Sequence, residues 1–430
     1  MILLNYLYFL IITFIGYKWL TSPGGTMTNP LNQQEQMWLD GPERFWVLTF
    51  STGLLALSAP AGLDLMAVRL LVLEVFCLIG LFFTCQHKPQ WTAASVVYVV
   101  YILWLIIGLA YSPAPGYGFR VILKYLYPLL IMLFASAAVR DTEVFLKAGL
   151  GARMVALIAL IVAFIPMLEG TLFPGVFWYG TARAINFISM CTFSLALFYY
   201  TDEKKKNLLY AILFMIPCFI WVFRTSIMGS LVAIMAFYFI KYRMRSLPII
   251  AGVMIAGVMA VFFIPSLHKK MFKDSSSNIE QFKSGSVSMV DVNTNARSAM
   301  WEHLEKRFYQ GHEITGSGTG SVQQYMYNNY VFGGLKVPHS DFVQMRCDNG
   351  LIGLVLYAMI ALFVFCDCFK THYTTNDIGV KICSIVAGAS MMGVFVTLYS
   401  DNVVNYSMAT LSMPFGFYGM MLGLKQNEIK

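Results

Sequence analysis

Charge is what this chain has least of. Charged residues make up 12% of the 430, against about 25% in soluble domains, while 58% are hydrophobic, against about 45–50%. So few charges cannot cover a water-soluble surface, and the mean hydropathy of +0.65 agrees. A free cytosolic enzyme, a disordered chain, a coiled coil and a disulfide-stapled secreted domain are all excluded. Cofactor signatures are missing too. The eight cysteines form no Cys-x-x-Cys pair, and no Asp-x-Asp or Rossmann glycine fingerprint occurs. Cys366 and Cys368 flank Asp367 inside an apolar run, which is a poor metal site and reads as ordinary packing. No metal, cofactor or nucleic-acid partner is expected.

Long hydrophobic runs fill the chain instead. About 20 apolar residues cross a bilayer as a helix. Such runs lie at 1–20, 45–62, 67–84, 91–111, 119–139, 145–167, 183–200, 207–223, 225–241, 247–265, 349–369, 379–399 and 403–424. The fold expected is all-α, a polytopic transmembrane bundle of about 12–13 spans with one large external loop containing short helices. Three regions follow: an N-terminal bundle (1–265), the loop (266–348) and C-terminal spans (349–430). The first run lacks a basic start and a cleavage site and reads as a retained anchor. Lys88, Arg140, Lys147, Lys204–Lys206, Lys241, Lys370 and Lys425 share one side if the spans alternate, and the positive-inside rule makes that side cytoplasmic. An odd count then puts the N-terminus outside.

The opposite end carries arginine. Arg120 opens one span with Lys124 a turn below, Arg183 opens another, Arg224 sits in a tight turn, and Arg297 lies in the large loop. Guanidinium binds phosphate oxygens as a bidentate fork, which ammonium cannot do. A shared site for a phosphate-bearing anion is one reading, and snorkelling to lipid headgroups is the other. Within the loop, Trp301, Leu304 and Phe308 recur at helical spacing, followed by the breaker Gly316-Ser317-Gly318-Thr319-Gly320. That run lacks the lysine and strand of a phosphate loop and reads as a turn. Pro338 then halts the chain, Ser340 or Asp341 can cap a new helix, and His339 stands beside that cap. A histidine at an outer membrane surface can accept a proton. Gly350 and Gly353 allow a sharp turn and close packing where the chain re-enters the bilayer.

His339-Ser340 followed nine residues later by Gly350-x-x-Gly353 resembles the histidine motif of the bacterial O-antigen ligase/polymerase superfamily. Arg297-Ser-Ala-Met-Trp301 is similar to that family's Arg-x-x-x-Trp, and the glycine run and the placing of the loop also correspond. The resemblance implies a multi-pass protein of the bacterial inner membrane with its active face periplasmic. It implies a metal-independent glycosyltransferase whose donor is a glycan on undecaprenyl diphosphate. The acceptor would be a glycan or the lipid A core, with flippase and chain-length regulator proteins as possible partners beside membrane lipids. His339, Arg297 and Arg183 would be the catalytic group. Arg224, Arg120, Lys124, Asp401 and Ser340 would bind substrate.

A polymerase joining lipid-linked repeat units in O-antigen or exopolysaccharide synthesis is the leading expectation. A ligase moving finished glycan to lipid A core is the alternative. A lipid-linked oligosaccharide flippase is a third, resting on Glu74 within a span.

Overall fold

The computed structural model describes residues 27–55, 66–164, 187–220, 224–265, 297–329, 335–406 and 410–428, with Phe14, Ile185 and His268. The apolar run at 1–20 (Phe14 apart), Arg183 and residues 269–296 of the loop lie outside the described residues. The described chain is a helical bundle; β1 (Met27–Thr28) and β2 (Gln36–Met37) form a two-residue antiparallel pair.

Before the loop the helices are α1 (Gly41–Leu55), α2 (Met66–Ile79), α3 (Ala93–Ala110), α4 (Pro115–Ala138), α5 (Thr142–Phe164), α6 (Ile188–Tyr200), α7 (Lys204–Ile220), α8 (Arg224–Tyr242) and α9 (Leu247–Phe263). The loop contributes α10 (Arg297–Phe308) and α11 (Ser321–Asn328), and α12 (Asp341–Thr374), α13 (Ile378–Thr397) and α14 (Ser412–Glu428) complete the bundle. Among the described residues, five stretches are long and apolar enough to cross a membrane: 93–110, 115–138, 224–263, 341–374 and 378–397. The third contains both α8 and α9, which a 3-10 turn at Arg243–Ser246 separates.

Local sequence sets these boundaries. Thr92 and Ser95 cap α3 reciprocally, with Thr92 Oγ1 accepting from Ser95 N–H at 3.3 Å. Pro115 opens α4, where its missing N–H costs nothing. Asp377 caps α13 through Val380 N–H, 2.8 Å.

Helix α13 is the buried axis, packed against α8, α12 and α14. Its small residues let backbones touch, the means by which helices associate in lipid. A Cβ on Gly393 would lie 2.6 Å from the Gly229 carbonyl oxygen of α8. Helix α14 meets α4 in the same way: a Cβ on Gly423 would sit 2.0 Å from the Val139 carbonyl oxygen.

One end of the bundle gathers lysine and its partners. Lys147 pairs with Glu43 at 2.8 Å, Lys425 lies 3.8 Å from Asp367, and Arg140 donates to the Lys88 carbonyl at 3.0 Å. The loop helices lie at the other end, so the lysine asymmetry read from sequence corresponds to two physical ends. The run expected at 403–424 needs correction. Residues 403–406 form a 3-10 turn, and α14 starts only at Ser412. The amides of this segment are bound elsewhere: Asp341 takes the Val404 N–H, so hydropathy alone misplaced the start.

Candidate functional site

The site is assembled by a loop stitched into a broken helix. Within α12, Gly350 adopts φ 66° and ψ −167°, interrupting the helical ladder. Non-helical backbone near a membrane must have its polar groups re-satisfied by protein. The loop does this. Ser317 and Gly318 N–H donate to the Cys347 and Asp348 carbonyls at 2.9 Å each. Leu351 N–H donates to the Glu313 carbonyl at 2.8 Å, and Trp104 of α3 donates to the Asn349 carbonyl at 3.0 Å. A Cβ at position 350 would lie 2.2 Å from the Ile314 carbonyl oxygen, so only glycine fits.

The glycine run is the other half of this seam. Gly316, Gly318 and Gly320 have φ of 75°, 102° and 91°. Every N–H from 316 to 322 that a phosphate would need is engaged by protein: besides Ser317 and Gly318, Gly316 donates to the His312 carbonyl at 2.7 Å, Thr319 to the Gly108 carbonyl at 3.2 Å, Gly320 to Asp348 Oδ2 at 3.1 Å, Ser321 to the Gly318 carbonyl at 3.2 Å and Val322 to Asp348 Oδ1 at 2.9 Å. The run is a structural turn, as its sequence suggested. Just before it, the Gly311 N–H beside Glu313 holds that carboxyl below the usual range.

Helix α10 forms as its spacing predicts. Met300 and Leu304 are buried against Val322, Met326 and Val343. The two ends of its Arg-x-x-x-Trp pattern act as braces. Arg297 Nη1 donates to the Ser400 carbonyl at 2.8 Å, and Trp301 Nε1 donates to the Pro338 carbonyl at 2.7 Å. Arg346 and Glu305 close the base as an ion pair.

His339 sits between these braces with φ 53°, a left-handed conformation that is rare outside glycine. Its N–H is held by Asn402 Oδ1. Nδ1 lies 3.6 Å from Asp401 Oδ1, beyond hydrogen-bond reach, and is buried without a hydrogen-bond partner. The side chain keeps 26% of its exposure, so a ligand can reach the ring. Asp401 is buried and accepts from Asn402 N–H at 2.8 Å. Arg224, at the start of α8, lies within electrostatic range of Arg297, and its neighbour Thr225 meets Ser400 Oγ at 3.0 Å. His339, Asp401, Arg297 and Arg224 therefore converge at the loop end.

The remaining expected residues are placed differently. Ser340 is fully buried and caps α12 through Val343 N–H, 3.2 Å. Lys124 is buried and donates to Asn405 Oδ1 at 2.5 Å. Arg120 is exposed at the outer turn of α4, with its guanidinium 5.6 Å from the Tyr117 ring centroid.

Three polar residues that build the site were missed, Asp348, Asn349 and Asn402, and Asp341 was read only as an alternative helix cap. Asp341 binds Asn402 Nδ2 at 3.2 Å and Val404 N–H at 3.0 Å, latching α12 to the turn after α13. Their signals were present. Asp348-Asn349-Gly350 and Tyr399-Ser400-Asp401-Asn402 are turn clusters between apolar runs.

The fold and this site define a multi-pass membrane protein with a cationic, histidine-bearing site at one end. A family model described as O-antigen ligase matches residues 209–358, about a third of the chain, and supports the O-antigen ligase/polymerase superfamily. That span contains Arg224, Arg297, His339, Gly350 and Gly353, and leaves Arg120, Lys124, Arg183 and Asp401 outside. No curated protein matches the chain.

Proposed function

We propose that the chain is a glycan polymerase that joins oligosaccharide units carried on undecaprenyl diphosphate at the periplasmic face of the bacterial inner membrane. The observation that carries this reading is the convergence of His339 and Asp401 with Arg224 and Arg297 at the loop end. An acceptor hydroxyl oxygen attacks the anomeric carbon of the donor. The carbon–oxygen bond to the diphosphate breaks, and the hydroxyl proton passes to His339. A rotation of the ring that brings Nδ1–H onto Asp401 would present Nε2 as the base. Arg297 and Arg224 face the charge growing on the leaving diphosphate, with Arg183 assigned the same role. A single displacement inverts the sugar carbon.

The family description favours a second reading, a ligase that passes finished glycan to lipid A core. Surface-glycan gels of a His339→Ala strain separate the two. A polymerase defect leaves one short band of a single repeat unit. A ligase defect removes every band above the core and leaves long polymer on the carrier. Normal ladders would defeat both. In vitro, purified protein given lipid-linked units should lengthen glycan with chelator present and no nucleotide. Substrate crossing vesicles without a new glycosidic bond would indicate a flippase.

A further inference from the structure

At the lysine-bearing end, opposite the histidine site, a cavity of about 440 Å³ lies between α3, α12 and α14. Its volume falls in the range of small-ligand pockets, about 300–1,000 Å³. Two kinds of surface meet in it. Lys370 and Lys425 supply positive charge beside the N-terminal end of α3, whose dipole adds to it. Trp91, Phe363 and Leu422 supply an apolar wall. The single carboxylate, Asp367, is already engaged by the Tyr418 hydroxyl at 2.8 Å, with Lys425 3.8 Å away. Lys370 makes no ion pair among the described residues and is exposed at the rim.

We propose that this cavity holds the phosphate headgroup of an anionic phospholipid. A free phosphate would need only the lysines. The apolar wall, the 57% exposure of Trp91 and the exposed Val96, Val100 and Leu362 on the flanking helices suit acyl chains leaving the headgroup. Tryptophan at the level of headgroups is a usual membrane anchor. The proposal stands apart from the glycan-transfer reading, because it concerns the other end of the bundle.

Cys366 lines the cavity and is the one exposed cysteine of the eight, so it reports occupancy directly. The full chain is placed in nanodiscs of phosphatidylcholine, with or without phosphatidylglycerol. Its reaction with N-ethylmaleimide is followed by mass spectrometry of the Cys366 peptide. Alkylation is expected to be several-fold slower with phosphatidylglycerol. Lys370→Gln should weaken that protection about fivefold, the value of one lysine contact near an anionic surface. Lys204→Gln, at the same end but outside the cavity, should retain it. Equal rates in the two lipids would overturn the proposal, as would protection that survives undiminished in Lys370→Gln and so reflects surface potential alone. Protection by inorganic phosphate in pure phosphatidylcholine would overturn it in favour of a free-anion site.

Discussion

Arg297 uses one guanidinium nitrogen on the Ser400 carbonyl, and in the proposed reaction the rest of its fork would take the diphosphate. Arg297→Lys can preserve the positive charge but not that double duty. It should lose nearly as much glycan transfer as Arg297→Ala, roughly 30- to 1,000-fold, at unchanged expression. Full activity in the lysine variant would reduce Arg297 to a generic surface charge. His339 poses a different question, since its backbone is strained and its N–H is held by Asn402. His339→Gln keeps hydrogen bonding but takes no proton near neutral pH. If His339 is the base, the glutamine variant should be as inactive as alanine. Substantial activity in glutamine would make the residue an acceptor-positioning group. Insertion into the membrane should be unaffected in either variant, as the side chain lies at a loop–helix junction outside the packed bundle.

At the level of elements, the loop and α12 form one unit through Asp348. Its carboxylate takes the N–H groups of Gly320 and Val322 in a fully buried setting. Asp348→Ala strands both donors, at a cost of about 1–3 kcal/mol for each. The variant should show a lower thermal midpoint and faster proteolysis between α10 and α11, with α12 still inserted. Gly350→Ala should act on the same seam from the other side. It forces a side chain into φ 66° and against the Ile314 carbonyl. If the seam positions His339, both variants lose transfer along with loop protection. Unchanged protease resistance in Asp348→Ala would mean the seam does not depend on this carboxylate.

For the whole molecule, the proposed orientation sets the lysine-bearing and loop-bearing ends on opposite sides of the membrane. Reporter fusions at the Gly311 turn and at the C-terminus after α14 should therefore report different compartments, with the loop periplasmic and the C-terminus cytoplasmic. Both on one side would sink the orientation, because α12, α13 and α14 between them must cross an odd number of times.

Composition and periodicity were enough to read a helical membrane bundle, because lipid leaves helices as the economical way to satisfy backbone groups. Helix α10, the cap at Ser340 and the sharp turn at Gly350 were legible for the same local reasons: side-chain spacing, a hydroxyl at an N-cap and a residue without a Cβ. Local signals could not reveal partners distant in the chain. Asp348 meets the glycine run, Asp341 meets Val404, and Arg297 reaches Ser400 across 103 positions. Nor could hydropathy place the start of α14, since residues 403–406 are apolar enough for a span but their turn is bound to Asp341. Those pairings depend on which helix ends the bundle brings together. Only the packed structure, where each buried carboxylate must find its donors, decided them.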